Sequence, residues 1–220
     1  LKPDGLFCQW LPMFQLTQAQ FETIVRTFRE VFPDAILVRG DFYTELPMLG
    51  LVGGRDLRSL DWNKIRLACD GLRREGKSLD PLMRHPEGVA MMIAGELPGS
   101  TSGPINTLAN AWIELDAGRN ILGMQEMWYI GVPCAEMIRE AHRLAAGLLP
   151  ETLRSAHDAG QYFLTLEIAA KLNLPMVNDL KTQVADRLPE ALWTDPGADW
   201  QQWPMRIKPE PPSAADVSER

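Results

Sequence analysis

The chain has 220 residues, a hydrophobic fraction of 45% and a formal net charge of −7. That length can bury a core without disulfides or metals. The acidic balance excludes general binding to a phosphate backbone, which needs clustered Lys and Arg, so we expect no nucleic-acid partner. No apolar run approaches the roughly 18 residues of a membrane-spanning helix.

The cysteines and the first residues indicate where the protein resides and what precedes the chain. Cys8, Cys69 and Cys134 are far apart and include no C-x-x-C pair, which is typical of neither a disulfide framework nor a thiolate metal site. We therefore expect a reducing, cytoplasmic compartment. Residues 1–5 lack an initiating Met and a signal-peptide pattern. We expect the chain to begin inside a domain, with an upstream part that could carry a membrane tether.

The first elements in chain order are a strand and a helix. Residues 5–10 form a short apolar run after a Pro-Asp-Gly turn signal, which predicts a buried strand. Thr17 followed by Gln20 makes a capping box. Aromatic and branched apolar residues then repeat at helical spacing until Pro33, which predicts a helix.

Two further strands are predicted at residues 35–38 and 48–52, joined by a polar connection short enough for an antiparallel hairpin. Strand, helix, strand and hairpin strand are the order found at the far edge of a mostly parallel α/β sheet. Three strands make a poor sheet alone, and near-continuous apolar strands imply burial on both faces. We therefore interpret residues 1–54 as the C-terminal half of an α/β domain whose other strands lie upstream.

The rest of the chain is predicted to be mainly helical. Asp61 can cap one helix, and Pro86 can open another that runs through Val89, Met92 and Ile93. Three helices with Ala- and Leu-rich periodicity follow, at residues 134–146, 151–172 and 177–188. We place a mainly helical extension at 55–125, a helical region at 126–203 and a disordered tail at 204–220.

Most sequence motifs of catalysis are missing. The chain contains no G-x-G-x-x-G, no Walker loop, no G-x-S-x-G and no histidine pair at metal-binding spacing. His85, His142 and His157 are isolated in sequence. We expect them to have surface or packing roles, and we expect no metal site.

Two places suggest ligand contact. Gln9 and Trp10 end the first predicted strand, and ligands of open α/β sheets lie beyond the carboxyl ends of strands; the alternative is a Gln bonded to a neighbouring loop. In the hairpin connection, Asp41 and Glu45 flank Tyr43. Carboxylates beside an aromatic ring suit an ammonium group, although a solvated hairpin tip explains the same residues.

Residues 1–54 resemble the second half of the catalytic domain of spermidine synthases and their bacterial spermidine-synthase-like relatives. The likeness lies in a Gly-initiated strand with Cys8-Gln9, a helix closing at Phe32-Pro33, and a two-stranded unit. Further on, Ile105-Asn106-Thr107 followed by Glu114 is similar to an I-N-T segment of longer relatives. The resemblance covers about residues 1–125.

This resemblance implies the C-terminal part of a class I methyltransferase, Rossmann-like sheet with an antiparallel closing hairpin, followed by an α-helical region. The parent protein would pass an aminopropyl group from decarboxylated S-adenosylmethionine to a diamine such as putrescine. Gln9 matches a substrate-contacting Gln, and Tyr43 lies near a polyamine-contacting Tyr; with Asp41 and Glu45 they form our predicted substrate-binding set. The family's T-Y-P-S-G pattern on this loop is absent.

The resemblance also places the cofactor loop and the catalytic Asp of the family upstream of residue 5. We therefore expect no catalytic residue and no bound cofactor in this chain alone. Its expected partners are a small cationic amine and the missing N-terminal part of the same protein, and a homo-oligomer is left open. Two alternatives are a methyltransferase-fold protein with changed or lost activity, and a helical protein-interaction module.

Overall fold

The computed structural model describes residues 2, 5–40, 47–55, 57, 60–75, 81–97, 103–123 and 128–193. These residues form a mixed α/β structure, which confirms the predicted α/β class. The four strands are β1 (Phe7–Pro12), β2 (Ile36–Arg39), β3 (Met48–Gly53) and β4 (Ile93–Glu96). The helices are α1 (Gln18–Val31), α2 (Trp62–Arg74), α3 (Pro86–Met92), α4 (Trp112–Gly123), α5 (Gly131–Leu144), α6 (Arg154–Lys171), α7 (Val177–Arg187) and α8 (Glu190–Trp193).

The order of the strands in the sheet is β1-β3-β2-β4, and each described pairing is antiparallel. The predicted hairpin of β2 and β3 is confirmed, with Leu37 opposite Leu51. Since β1 and β2 both run antiparallel to β3, they are parallel to each other, with β3 inserted between them. The connection from β1 through α1 to β2 is therefore a crossover over the intervening strand.

Local capping explains where the helices begin. The predicted box at α1 is present: the Thr17 side chain accepts from Gln20 N at 3.2 Å, and Gln20 Oε1 accepts from Thr17 N at 3.0 Å. Asp61 caps α2 by accepting from the N–H groups of Asn63 and Lys64, each at 3.1 Å. Pro86 is the first residue of α3. These starts were predicted because side chains within three residues decide them.

Two predictions about strands were wrong. Four of the six residues of β1 are exposed, because β1 has only one described neighbour in the sheet, so it is an edge strand rather than a buried one. Ile93, which we assigned to a helix, begins β4 instead. The helix α3 is only seven residues long and ends at Met92, since the next residues pair with β2 and complete the sheet from within the chain.

Helices cover both faces of the sheet. On one face, α1 and α5 pack against alternate strand residues; this core includes Leu11, Phe28, Leu37, Ile138 and Leu51. On the other face, α3, α6 and α7 form a second core that includes Ile36, Leu82, Met91, Phe163 and Val184. The helical half of the chain thus shares its apolar cores with the strands. No described helix is both long and apolar enough to cross a membrane.

Candidate functional site

The structure describes one of the four predicted substrate-binding residues, Gln9, which lies on the edge strand β1. Gln9 is exposed and pairs with Leu51. It is the third of six residues of β1, so the prediction that Gln9 ends this strand was wrong; the strand continues to Pro12. Asp41, Tyr43 and Glu45 lie outside the described residues, and their contribution stays a prediction.

Trp10 is the most distinctive side chain at this edge. It is 52% exposed, yet its indole lies against the backbone of the hairpin. A Cβ added at Gly40 or at Gly50 would come within 3.0 Å of the indole Cζ3, so two glycines allow the ring to lie this close to the sheet. We call the indole with Gly40 and Gly50 the Trp10 platform.

The Trp10 platform includes Gly40, the last described residue before the hairpin connection. Gly40 N donates to Met48 O at 2.7 Å, and Met13 N donates to Pro47 O at 3.0 Å. Gly40, which precedes the connection, lies beside the indole, and Pro47, which follows it, is bonded to Met13. Successive residues of a strand face opposite sides of the sheet, so Gln9 shares its side with Phe7 rather than with Trp10. Phe7 stacks on Phe28 of α1, and Gln9 therefore points towards the α1 side. The structure brings Trp10, but not Gln9, next to Gly40 and Gly50.

The I-N-T segment has a structural role. Asn106 Oδ1 accepts from Ile113 N at 3.0 Å, and Asn106 N donates to Thr27 Oγ1 at 2.8 Å. Asn110 accepts from Thr107 N and Trp112 N at 3.0 and 3.3 Å. These bonds fix the start of α4 and attach it to α1. Helix capping explains this segment without any ligand.

A second group of polar residues, buried or partly buried, lies where β2, α3, α5 and α6 meet. We call it the buried polar cluster: Arg39, His142, His157, Asp158 and Gln161. Arg39 is 1% exposed. It donates to Met91 O at 2.7 Å, Ile93 O at 3.0 Å and Gln161 Oε1 at 3.0 Å. Burial lowers the pKa of Arg39 to about 9.

The two histidines of the buried polar cluster stack on each other. Their ring centroids are 4.0 Å apart with an interplanar angle of 9°, and His142 Nε2 lies 3.0 Å from Asp158 Oδ1. Burial, aided by the charges of His142 and Arg39, lowers the pKa of His157 to about 3, although hydrogen bonds to the backbone of Ala94 and Ile93 act in the opposite direction. Burial also lowers the pKa of His142, and Asp158 opposes this shift.

Each histidine keeps one nitrogen without a hydrogen bond among the described residues. These atoms, His142 Nδ1 and His157 Nε2, are both buried. Because the other nitrogen of each ring is bonded, to Asp158 or to the backbone of β4, a neutral ring leaves its lone pair on the unbonded nitrogen. The cluster therefore contains two lone pairs withheld from water.

The sequence interpretation missed this cluster, since it treated His142 and His157 as isolated. A signal was present: the two residues lie at nearly equal distances on either side of Pro150, where the predicted helical hairpin turns. An antiparallel hairpin places such residues opposite each other.

Comparison with protein families, with curated proteins and with solved structures gives no match for this chain.

Proposed function

We propose that the chain is the C-terminal segment of a spermidine-synthase-like aminopropyltransferase and supplies one wall of its amine-acceptor pocket. The reaction needs a deprotonated amine held in line with the activated methylene beside the sulfonium of decarboxylated S-adenosylmethionine. The cofactor loop and the base would lie in the upstream part of the same protein. The residues present here would position the diamine rather than perform the chemistry.

The observation that carries this proposal is the Trp10 platform beside the hairpin connection. A half-exposed indole attracts an ammonium group through its ring face. The connection that follows Gly40 in the sequence would add two carboxylates, at Asp41 and Glu45, and the Tyr43 hydroxyl. An aromatic face next to acidic groups is the combination that a protonated diamine requires, since each ammonium needs both charge and a partly desolvated surface.

The arrangement of the strands supports the same reading. The inserted antiparallel β3 lies between the mutually parallel β1 and β2, as expected for the hairpin that closes a methyltransferase-like sheet. The exposed outer edge of β1 fits the proposed pairing with a strand of the upstream part. The shared core weighs against an independent helical module, because Ile138, Ala141 and Leu164 belong to a core whose other members come largely from residues 1–54.

Calorimetric titration of the chain with putrescine tests the amine site, with 1,4-butanediol as a ligand of the same length without charge. We expect the diamine to bind and the diol not to bind. The variant Trp10→Leu should weaken diamine binding about two- to fivefold, the equivalent of 0.5–1 kcal/mol. The matched control is Trp128→Leu, since Trp128 is similarly exposed at 54% but lies beside Thr17.

Equal binding of diamine and diol, or equal effects of the two Trp variants, would contradict the proposed amine site. The reaction itself is tested separately, by aminopropyl transfer to putrescine with the native full-length protein. If that protein transfers the aminopropyl group and Trp10→Leu does not change the rate, the enzyme class is supported but Trp10 does not belong to the amine-acceptor pocket. Absence of transfer together with diamine binding would favour the alternative of a methyltransferase-fold protein with changed activity.

A further inference from the structure

We propose that His142, His157 and Asp158 form a binding site for one divalent transition-metal ion of the Zn²⁺ class, linking α5 to α6. One ligand atom from each of the three side chains lies within 4.8 Å of the others. Two imidazoles and one carboxylate are a donor set that first-row metals such as Zn²⁺ accept. This inference is independent of the proposed amine site.

The unbonded lone pair of His157 is the observation that points to a ligand. His157 is 5% exposed, and its Nε2 has no hydrogen-bond partner within the described part of the chain. Leaving a buried acceptor without a partner costs about 1–3 kcal/mol. A metal ion bound between the three side chains would use this lone pair.

Asp158 and its exposure provide both charge and access. The carboxylate is half exposed while the His142 side chain is mostly buried, so an ion can enter from the Asp158 side and keep water on its open positions. Donor atoms around a tetrahedral ion would be about 3.3 Å apart, given bonds of about 2.0–2.1 Å. Because the lone pairs lie in the ring planes and the two planes are nearly parallel, the rings would have to turn out of their stack for both nitrogens to reach one ion.

Arg39 is the main opposing feature. Its charge lowers the pKa of both histidines, and the same repulsion acts on a metal ion. The guanidinium is, however, directed at the carbonyls of Met91 and Ile93 and at Gln161, and the Asp158 carboxylate offsets one positive charge at the site. The balance predicts moderate rather than very tight binding.

The test is a titration of the metal-free full chain with Zn²⁺ by calorimetry, in a Cys8→Ser background. This background removes the one exposed thiol among the three cysteines. We expect one ion per chain and a rise in the melting temperature. Asp158→Asn, which keeps the shape of the side chain, should weaken binding at least about tenfold. The control is Asp179→Asn, an exposed acidic residue of α7, which should leave binding unchanged.

Nitrogen-15 NMR of the histidine rings gives a readout that a purely structural role would not produce. Zn²⁺ should change the nitrogen-15 chemical shifts of the His142 and His157 rings. The shifts of His85, the third histidine of the chain, should stay the same. Unchanged His142 and His157 signals, or equal Zn²⁺ affinity of Asp158→Asn and Asp179→Asn, would overturn the proposal and leave an adventitious ion only. If Asp158→Asn fails to fold, the ring shifts in the unsubstituted chain decide the question.

Discussion

The two ends of the sheet place their polar chemistry in opposite surroundings. At the β1 edge, Gln9 and Trp10 are exposed. On the far side, helices enclose Arg39 and His157 almost completely. A group at the open edge keeps its water and can meet a ligand at little cost, whereas a group in the enclosed cluster depends on the protein for every partner. Substitutions should therefore act mainly on binding at the first end and mainly on stability at the second.

The largest expected effect is at Arg39. Arg39→Met should lower the free energy of unfolding by about 3 kcal/mol, because two backbone carbonyls and Gln161 lose a buried charged donor. Urea unfolding followed by circular dichroism measures this loss. Arg66→Met is the control, since Arg66 is exposed on α2 and should change the same quantity by less than about 0.5 kcal/mol. Equal losses would remove the contrast between enclosed and open sites.

Gly160 tests how closely α6 must approach the cluster. A Cβ at Gly160 would come within 2.4 Å of Met91 O, the carbonyl that Arg39 also uses. Gly160→Ala should destabilise the fold by about 1–3 kcal/mol through overpacking. Gly118→Ala in α4 meets nothing within 4 Å and should stabilise by about 0.5–1 kcal/mol, because Ala favours helix more than Gly. Melting temperatures of the two variants should move in opposite directions.

The pH dependence of stability should be set partly by His157. Its pKa is about 3 when folded and about 6.5 when unfolded, so the unfolded chain binds one more proton between these values. Stability should be full above pH 6.5 and fall by about 1.4 kcal/mol per unit as pH drops below it. Urea unfolding at pH 7 and pH 5.5, with chelator present, measures the slope.

The matched variant for this slope is His157→Asn, which retains a donor towards β4 and cannot titrate. It should be less stable at pH 7 but lose less stability on acidification. Three charged or titratable neighbours remain in both proteins: Arg39 from β2, His142 from α5 and Asp158 from α6. Parallel pH profiles for the two proteins would show that these neighbours, rather than His157, produce the slope.

The smallest expected effect on stability is at Gln9. Gln9→Ala should change the free energy of unfolding by less than about 0.5 kcal/mol, since the side chain is exposed on an edge strand. Weaker putrescine binding by this variant would support the predicted substrate contact. Unchanged binding would restrict the site to the face that carries Trp10. Either result sharpens the contrast with Arg39, where stability itself should respond.

The fold could be predicted wherever short-range chemistry decides it. The capping box at Thr17, the cap at Asp61 and the hairpin of β2 and β3 all depend on neighbouring residues, and each is present. β4 could not be predicted, because its four residues become a strand only by pairing with β2, more than fifty positions earlier. The exposure of β1 was likewise missed, since apolar composition does not reveal how many neighbours a strand has.

The candidate sites also differ in how far the sequence could predict them. The hairpin connection was identified from adjacent residues, Asp41 to Glu45. The buried polar cluster combines residues from β2, α5 and α6, which meet only through the packing of the hairpin turning near Pro150. Arg39 in particular was assigned to the polar connection after residues 35–38, whereas the structure places it in β2 and buries it.

The three cysteines also differ in a way that experiments can use. Cys8 is exposed on β1, while Cys69 and Cys134 are buried, and burial raises the pKa of Cys134 to about 12. A thiol that stays protonated and inaccessible reacts slowly with maleimides and iodoacetamide. Brief labelling of the folded chain should therefore attach a single fluorophore at Cys8. That dye would report directly on whether another strand docks against the edge beside Trp10.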